Sequence, residues 1–117
     1  MSEAIYIVGG ARTPMGGLMG DLASVSAPQL GSTAIKAAVE RANLDAAAID
    51  EVFMGCVLPA GLKQCPARQA ARYAGVPDHV GAVTVNKACG SGMQATIFGI
   101  DSIRAGTNSI AIAGGLE

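Results

Sequence analysis

Charged residues are scarce in this chain. Asp, Glu, Lys and Arg make up 15% of its 117 residues, whereas half of the residues are hydrophobic. A typical soluble domain has about 25% charged residues, and a small domain has proportionally more surface than a large one. The deficit predicts that other protein covers much of the outside of this chain, as in a fragment or a subunit.

Basic clusters and long apolar runs are also missing. The eight Lys and Arg residues are scattered and the net charge is −1, so we expect no nucleic-acid partner. No apolar run approaches the roughly 20 residues that would span a bilayer, so we expect no membrane partner. Residues 1–4 lead into an apolar stretch without the features of a signal peptide, and we expect a cytoplasmic location.

Cysteine and histidine are few. The chain has Cys56, Cys65 and Cys89 and a single histidine, His79. An odd number of cysteines, without a C-x-x-C pair or a neighbouring histidine, argues against a disulfide framework and against a metal site. His79 follows Pro77 and Asp78 in a turn-like stretch, so we expect an exposed loop histidine.

Strand and helix signals alternate along the chain. Strands are predicted at residues 5–8, 51–58, 83–85 and 110–113, and helices at 27–42, 66–74 and 92–104. The first helix begins with a capping box of Ser26 and Gln29. The alternation predicts an α/β layer structure with a mostly parallel sheet. Because its first charge comes only at Asp101, the third helix is predicted to be largely buried.

A tight turn containing Cys89 joins the third predicted strand to the third helix. A thiol at a helix N-terminus meets the positive end of the helix dipole and free N–H groups, and both favour the thiolate. Gly90 and Gly92 lack a Cβ, so they allow a substrate to approach closely and leave N–H groups available for an oxyanion. Acyl transfer through a cysteine nucleophile needs this arrangement.

The local pattern leaves a second interpretation of Cys89 open. Free cysteine is among the most buried residue types, and the glycines would also suit close packing in front of a core helix. Two other nucleophile chemistries do not fit. A C-x5-R phosphatase loop needs arginine where Ala95 stands, and a thioredoxin-like motif needs a second cysteine where Gly92 stands.

The stretch Val85-Asn86-Lys87-Ala88-Cys89-Gly90-Ser91-Gly92-Met93 resembles the acylation motif of thiolases, the acetyl-CoA acetyltransferases and 3-ketoacyl-CoA thiolases. Residues 11–14 resemble the turn after the family's first strand, residues 66–71 its helix upstream of the nucleophile, and residues 113–115 its Gly-Gly strand end. The resemblance covers the whole chain. The related ketoacyl synthases usually have serines after their cysteine instead of Gly-Ser-Gly.

The resemblance implies both a fold and a chemistry. Residues 1–117 would form the N-terminal part of the first of two similar thiolase-fold domains, each a mixed five-stranded sheet with helices on both faces. The remainder of the enzyme would lie outside this sequence. Cys89 would attack an acyl-CoA and hold the acyl group as a thioester, with its N–H in the oxyanion hole. The acyl group would pass to an acetyl-CoA carbanion (Claisen condensation) or, in degradation of 3-ketoacyl-CoA, to free CoA.

The resemblance also indicates what the chain needs from elsewhere. The family's catalytic histidine, second cysteine and Asn-held water come later in the sequence, and neither His79 nor Cys56 nor Cys65 matches their motifs. We therefore expect this chain alone to be inactive. Its expected partners are acyl-CoA and CoA, the rest of the polypeptide or a complementary chain, and further copies in a homodimer or tetramer. Coenzyme A thioesters would be substrates, with no permanently bound cofactor.

Cys65 departs from the family pattern. It occupies the predicted N-cap before Pro66, where thiolases often have asparagine or alanine, and cysteine is a weak cap. A helix N-terminus could also activate this thiol, but Cys65 lacks the Gly-Ser-Gly context, so a structural role is expected. Two other functions stay open for the chain: a catalytically silent fragment or subunit, and a cysteine-based acyl carrier. The acyl chain length and the physiological direction are undetermined.

Overall fold

The computed structural model describes residues 4–117, which form a parallel sheet of three strands flanked by helices. The elements are α1 (Ala27–Arg41), a 3-10 turn (Ala46–Ala48), β1 (Glu51–Gly55), α2 (Pro66–Tyr73), β2 (Gly81–Val85), α3 (Ser91–Arg104) and β3 (Ala111–Gly115). The strand order is β2-β1-β3, so β1 is central. The predicted α/β class and parallel sheet are confirmed; of the expected five-stranded mixed sheet, residues 4–117 contain these three parallel strands.

Helices cover both faces of the sheet, as predicted. Successive side chains of a strand point to opposite faces. Val52 and Met54 of β1 belong to the larger core, which α1 and α2 complete. Phe53 points the other way and packs with Val85 and Ala95 of α3. The central strand therefore contributes to two cores, and α3 is alone on its side among the described helices.

The capping box predicted for α1 is confirmed. The Ser26 hydroxyl accepts a hydrogen bond from the Gln29 N–H at 3.4 Å, and the Gln29 side chain accepts one from the Ser26 N–H at 3.2 Å. Two N–H groups of the helix start are thereby satisfied. Ile35 lies on the buried side of the helix.

The N-terminus of α2 is capped from a neighbouring strand. Cys65 holds the N-cap position with φ of 39°, but its side chain makes no capping hydrogen bond. Instead the Thr84 hydroxyl on β2 accepts the Ala67 N–H at 3.1 Å. Just before the start of β2, Arg68 donates to the Val80 carbonyl at 2.6 Å. These contacts fix α2 against β2.

The strand predicted at residues 5–8 is wrong. This segment pairs with no strand within residues 4–117, and Tyr6, Ile7 and Val8 are exposed. It runs beside α1, where Arg41 donates to the Gly10 carbonyl at 2.9 Å. A groove of about 700 Å³ lies between this segment and β3. The apolar pattern indicated an extended chain, but a strand also needs a partner at hydrogen-bonding distance.

The predicted burial of α3 is also wrong for this part of the protein. Ser91, Ala95 and Gly99 are its buried residues, whereas Met93 is 74% exposed and Ile97 and Phe98 are each 42% exposed. The sheet can cover one side of a helix only. None of the helices within residues 4–117 is long and apolar enough to cross a membrane.

Candidate active site

A cleft of about 520 Å³ opens where the three strands end. In a parallel sheet the carboxyl ends of neighbouring strands share one edge, which is where ligands bind in open α/β proteins. The residues that follow β1, β2 and β3 therefore meet here. The cleft is lined by Gly55, Cys56, Val57, Ala88, Cys89, Ser91, Gly92, Gly115, Leu116 and Glu117.

Cys89, the predicted nucleophile, is exposed and lines this cleft. It is two residues before Ser91, the first residue of α3. Its exposure argues against the interpretation of Cys89 as a buried packing residue. Its catalytic role stays a prediction, but its thiol is accessible to a ligand in the cleft.

Side-chain hydrogen bonds hold the turn that carries Cys89. The Ser91 hydroxyl accepts the Lys87 N–H at 2.8 Å and donates to the Ala88 carbonyl at 2.6 Å. The Asn86 side-chain oxygen accepts the Ala88 N–H at 3.0 Å. Ala88 has φ of 47°, a left-handed conformation that costs a non-glycine residue about 1–2 kcal/mol. These bonds help to hold the residue before Cys89 in an unfavourable backbone conformation.

The first turn of α3 supplies donors beside Cys89. Within residues 4–117 the N–H groups of Gly92 and Met93 donate to no backbone or side-chain acceptor, whereas the Gln94 N–H donates to the Gly90 carbonyl at 2.8 Å. Free N–H groups at the start of a helix favour an anion. Gly92 also lines the cleft, so the helix start that carries these donors borders the site.

The other two cysteines have different surroundings. Cys56 lines the cleft but is only 2% exposed. Burial, and then the nearby Glu117 carboxylate, raise the pKa of the Cys56 thiol, so it stays protonated near neutral pH. Cys65 is half-buried at the start of α2, with its sulfur 3.4 Å from the Thr84 hydroxyl. Neither has the exposed position of Cys89.

His79 lies at the opposite end of the sheet. It is exposed in the turn before Gly81, where β2 begins, as predicted. Cys89 follows the other end of β2, and a five-residue strand is about 16 Å long. His79 therefore cannot reach the cleft to act as a base for Cys89.

The structure gives a role in the site to three residues for which the sequence predicted none. Asn86 and Ser91 brace the Cys89 turn, and Glu117 accepts hydrogen bonds from the two residues Val57 and Leu58 that follow the end of β1. Once three parallel strands are predicted, the residues after each strand are expected at one edge. That signal was available for Asn86 and Glu117.

Comparisons with known proteins agree with this geometry. Residues 5–117 match the family model described as the thiolase N-terminal domain. Acetyl-CoA acetyltransferase 2 of Arabidopsis thaliana is 54% identical over 113 residues, which is 97% of this chain and 28% of that protein. Acetyl-CoA acetyltransferase of Schizosaccharomyces pombe is 52% identical over 117 residues, all of this chain and 30% of that protein.

A solved structure has the same fold. The Acat5 thiolase of Ascaris suum, determined in complex with coenzyme A, matches with a TM-score of 0.92 and 40% identity, over 94% of this chain and 29% of that one. The protein is therefore of the α/β class and carries an exposed cysteine, Cys89, in the turn between β2 and α3. The chain belongs to the thiolase family and is an N-terminal portion of it. It spans about three tenths of the length of these relatives.

Proposed function

We propose that this chain supplies the acyl-accepting cysteine of a thiolase-type acyltransferase, and that Cys89 is that cysteine. The observation that carries the proposal is the position of Cys89: exposed, in a cleft at the carboxyl edge of a parallel sheet, beside free N–H groups at the start of α3. Relatives named acetyl-CoA acetyltransferases support the reaction class. The Ascaris suum thiolase, solved with coenzyme A, supports CoA thioesters as substrates.

The proposed first step transfers an acyl group to sulfur. The Cys89 thiolate attacks the carbonyl carbon of acyl-CoA, and the carbonyl oxygen becomes an oxyanion that backbone N–H groups stabilise. Collapse of this intermediate restores the carbonyl, breaks the bond to the CoA sulfur and leaves an S-acyl group on Cys89. The CoA thiolate then takes up a proton and leaves as free CoA.

The second step transfers the acyl group to carbon or to sulfur. In synthesis, removal of a proton from acetyl-CoA gives a carbanion that attacks the Cys89 thioester, forms the new C–C bond and releases the Cys89 thiolate. In degradation, the Cys89 thiolate attacks the 3-keto carbon of 3-ketoacyl-CoA, the C2–C3 bond breaks, and acetyl-CoA leaves as a carbanion that takes up a proton. Free CoA then attacks the Cys89 thioester, leaves as the shortened acyl-CoA and releases the Cys89 thiolate. The base and acid for these proton transfers would come from the rest of the protein, because His79 is remote from the cleft and the raised pKa of the buried Cys56 thiol makes it a poor base.

The rest of the proposal concerns partners and location. The remaining polypeptide, or a complementary chain, would cover exposed apolar residues such as Met93 and Phe98. We propose assembly as a homodimer or tetramer through the β2 edge of the sheet, which has no strand partner among residues 4–117. One relative, from Gibberella zeae, is named as cytosolic, which supports a cytoplasmic location; a role in fatty acid metabolism is proposed from the thiolase-type reaction alone.

Acetoacetyl-CoA formation from acetyl-CoA in the complete protein tests the proposed reaction. Cys89→Ser should abolish almost all turnover while keeping the fold, because serine does not ionise near neutral pH as a thiol can. Cys65→Ser, a matched change at a half-buried cysteine beside Thr84, should leave turnover within about twofold, as expected of a change outside the site. Turnover that survives in Cys89→Ser would refute the proposal.

Two outcomes would favour the alternatives instead. A complete protein that acylates Cys89 but never forms acetoacetyl-CoA would be an acyl carrier. A complete protein that neither acylates nor condenses would be a catalytically silent subunit. The exposure of Cys89 in the cleft favours the enzyme over the silent subunit.

A further inference from the structure

The Glu117 side chain lies against the residues that follow β1, the central strand. Glu117 follows β3, and its two carboxylate oxygens accept the N–H groups of Val57 and Leu58, each at 3.0 Å. Leu116, just before it, donates to the Gly55 carbonyl at 2.9 Å, so the chain is fixed up to the residue that carries this carboxylate. A carboxylate that accepts two backbone N–H bonds makes strong, charge-assisted contacts. Residues 57 and 58 are therefore held from the β3 side.

The same segment is joined to the Cys89 turn on its other side. Asn86, which follows β2, donates from its side-chain amide to the Val57 carbonyl at 3.4 Å. Its side-chain oxygen accepts the Ala88 N–H at 3.0 Å. Hydrogen bonds therefore connect Glu117 through Val57 and Asn86 to Ala88, the strained residue before Cys89. This path exists because the strand order β2-β1-β3 places the end of β1 between the other two ends.

We propose that Glu117 is a positioning residue for Cys89: by fixing residues 57 and 58 it orients Asn86 and, through Asn86, the turn that presents the thiol to the cleft. The inference rests on the proposed acyl transfer and adds a residue to it. Acyl transfer requires the sulfur and the oxyanion donors to be placed together, and a displacement of about 1 Å can cost on the order of a hundredfold in rate. Glu117, which is three hydrogen bonds away from Ala88, can therefore influence the reaction through the position of the turn.

The structure provides a matched control at the opposite end of the sheet. Asp50 precedes β1, and one of its carboxylate oxygens accepts the N–H groups of Ser109 and Ile110 at 2.7 Å and 3.0 Å. Like Glu117, it links the chain at β1 to the chain at β3 through two consecutive N–H groups. Asp50→Asn and Glu117→Gln make the same chemical change, an acceptor-only carboxylate to an amide. Only Glu117 lies at the cleft.

Two measurements on the complete protein test the inference. Amide hydrogen exchange, resolved by peptide, reports whether residues 86–90 loosen, and the rate of acetyl-enzyme formation from acetyl-CoA under single-turnover conditions reports positioning. In Glu117→Gln we expect exchange at 57–58 and at 86–90 to rise about tenfold, as for loss of a hydrogen bond. We expect acetylation to slow by about ten- to a hundredfold. The KM for acetyl-CoA should change less than about twofold, because both oxygens of the Glu117 carboxylate are engaged by the Val57 and Leu58 N–H groups.

Asp50→Asn should change neither the exchange at 86–90 nor the acetylation rate. A second variant, Asn86→Asp, interrupts the path at its middle: it keeps the acceptor for the Ala88 N–H but cannot donate to the Val57 carbonyl. In that background Glu117→Gln should still loosen 57–58 and should have no further effect on 86–90, since coupled residues are non-additive. Asn86→Asp alone should loosen 86–90 and slow acetylation, a test of the path from Val57 to Ala88 that does not depend on the folding of Glu117→Gln; unchanged values would overturn the inference.

The possible results separate this inference from the proposed function. Unchanged exchange at 86–90 in Glu117→Gln, or loosened exchange with a normal acetylation rate, would overturn the positioning role. Equal effects of Glu117→Gln and Asp50→Asn would overturn it as well, because they would indicate general destabilisation. If the unmodified protein forms no acetyl-enzyme, the proposed function fails, and a positioning role for acyl transfer fails with it; exchange at 86–90 then reports only whether Glu117 holds the turn.

Discussion

Gly55 at the end of β1 lies against Ser91 at the start of α3, so closely that a Cβ on Gly55 would come 2.5 Å from the Ser91 carbonyl carbon. Strand and helix therefore meet backbone to backbone beside the turn that carries Cys89. The Ser91 hydroxyl in turn holds the Lys87 N–H and the Ala88 carbonyl. The position of the thiol thus depends on the absence of a side chain on the neighbouring strand.

Gly55→Ala should destabilise the fold and reduce acylation of Cys89. The added methyl group would meet main-chain atoms that cannot rotate away, and overpacking of this kind costs about 1–3 kcal/mol. Gly81→Ala is the control, because a Cβ there would meet only the Glu51 side chain, at 3.6 Å. Denaturant unfolding measures the free energy of unfolding of the two variants, and acetyl-enzyme formation measures the acylation of Cys89. Equal stability of the two variants would contradict the close contact of β1 with α3.

Thr84→Val should weaken the start of α2. The valine has nearly the same shape but leaves the Ala67 N–H without its acceptor, and loss of a helix cap costs about 1 kcal/mol. Thr33→Val is a suitable comparison, since its hydroxyl donates back to the Gln29 carbonyl within α1. Thermal unfolding should rank Thr84→Val below Thr33→Val. The reverse order would mean that Thr84 is not the cap of α2.

The Asp50 carboxylate should make stability depend on acid pH. Hydrogen bonds from the Ile110 and Ser109 N–H groups lower the pKa of Asp50 in the folded protein below its ordinary value. A group with a lowered folded pKa contributes stability above its unfolded pKa, about 3.9 for Asp, and that stability is lost as the pH falls through the folded value. Asp50→Asn should therefore flatten the decline in unfolding free energy below about pH 4. An unchanged acid profile would contradict the assignment.

Residues 1–117 expressed by themselves should show no acetyl transfer and should self-associate. The single histidine is remote from the cleft, and Tyr6, Ile7, Met93 and other large apolar side chains are exposed, which favours association. Sedimentation and an acetoacetyl-CoA assay test the two statements separately. A compact, active monomer would contradict both.

Local signals predicted most of the fold and, within the site, Cys89 and Gly92. Ser26 with Gln29 indicated the start of α1, and Pro66 with Gly75 bracketed α2, because caps and helix breakers act within a few residues of the chain. The resemblance and the helix N-terminus pointed to Cys89. The roles of Asn86 and Glu117 depend on the strand order, because both residues contact Val57 although they follow it in the sequence by 29 and 60 positions. No local pattern in the sequence encodes these long-range contacts. The same limit explains the error at residues 5–8, where an apolar run predicts extension but not a partner.

The covalent intermediate tests the central claim most directly. The complete protein is incubated briefly with acetyl-CoA, quenched in acid to preserve thioesters, digested and analysed by peptide mass. The acetyl group should be found on the peptide containing Cys89 and not on those containing Cys56 or Cys65, since Cys56 is buried and protonated and Cys65 is half-buried beside Thr84. Iodoacetamide should likewise modify Cys89 first, and acetyl-CoA should protect it. An acetyl group mapped to Cys65, or no acetylated peptide at all, would contradict the assignment of Cys89 as the nucleophile.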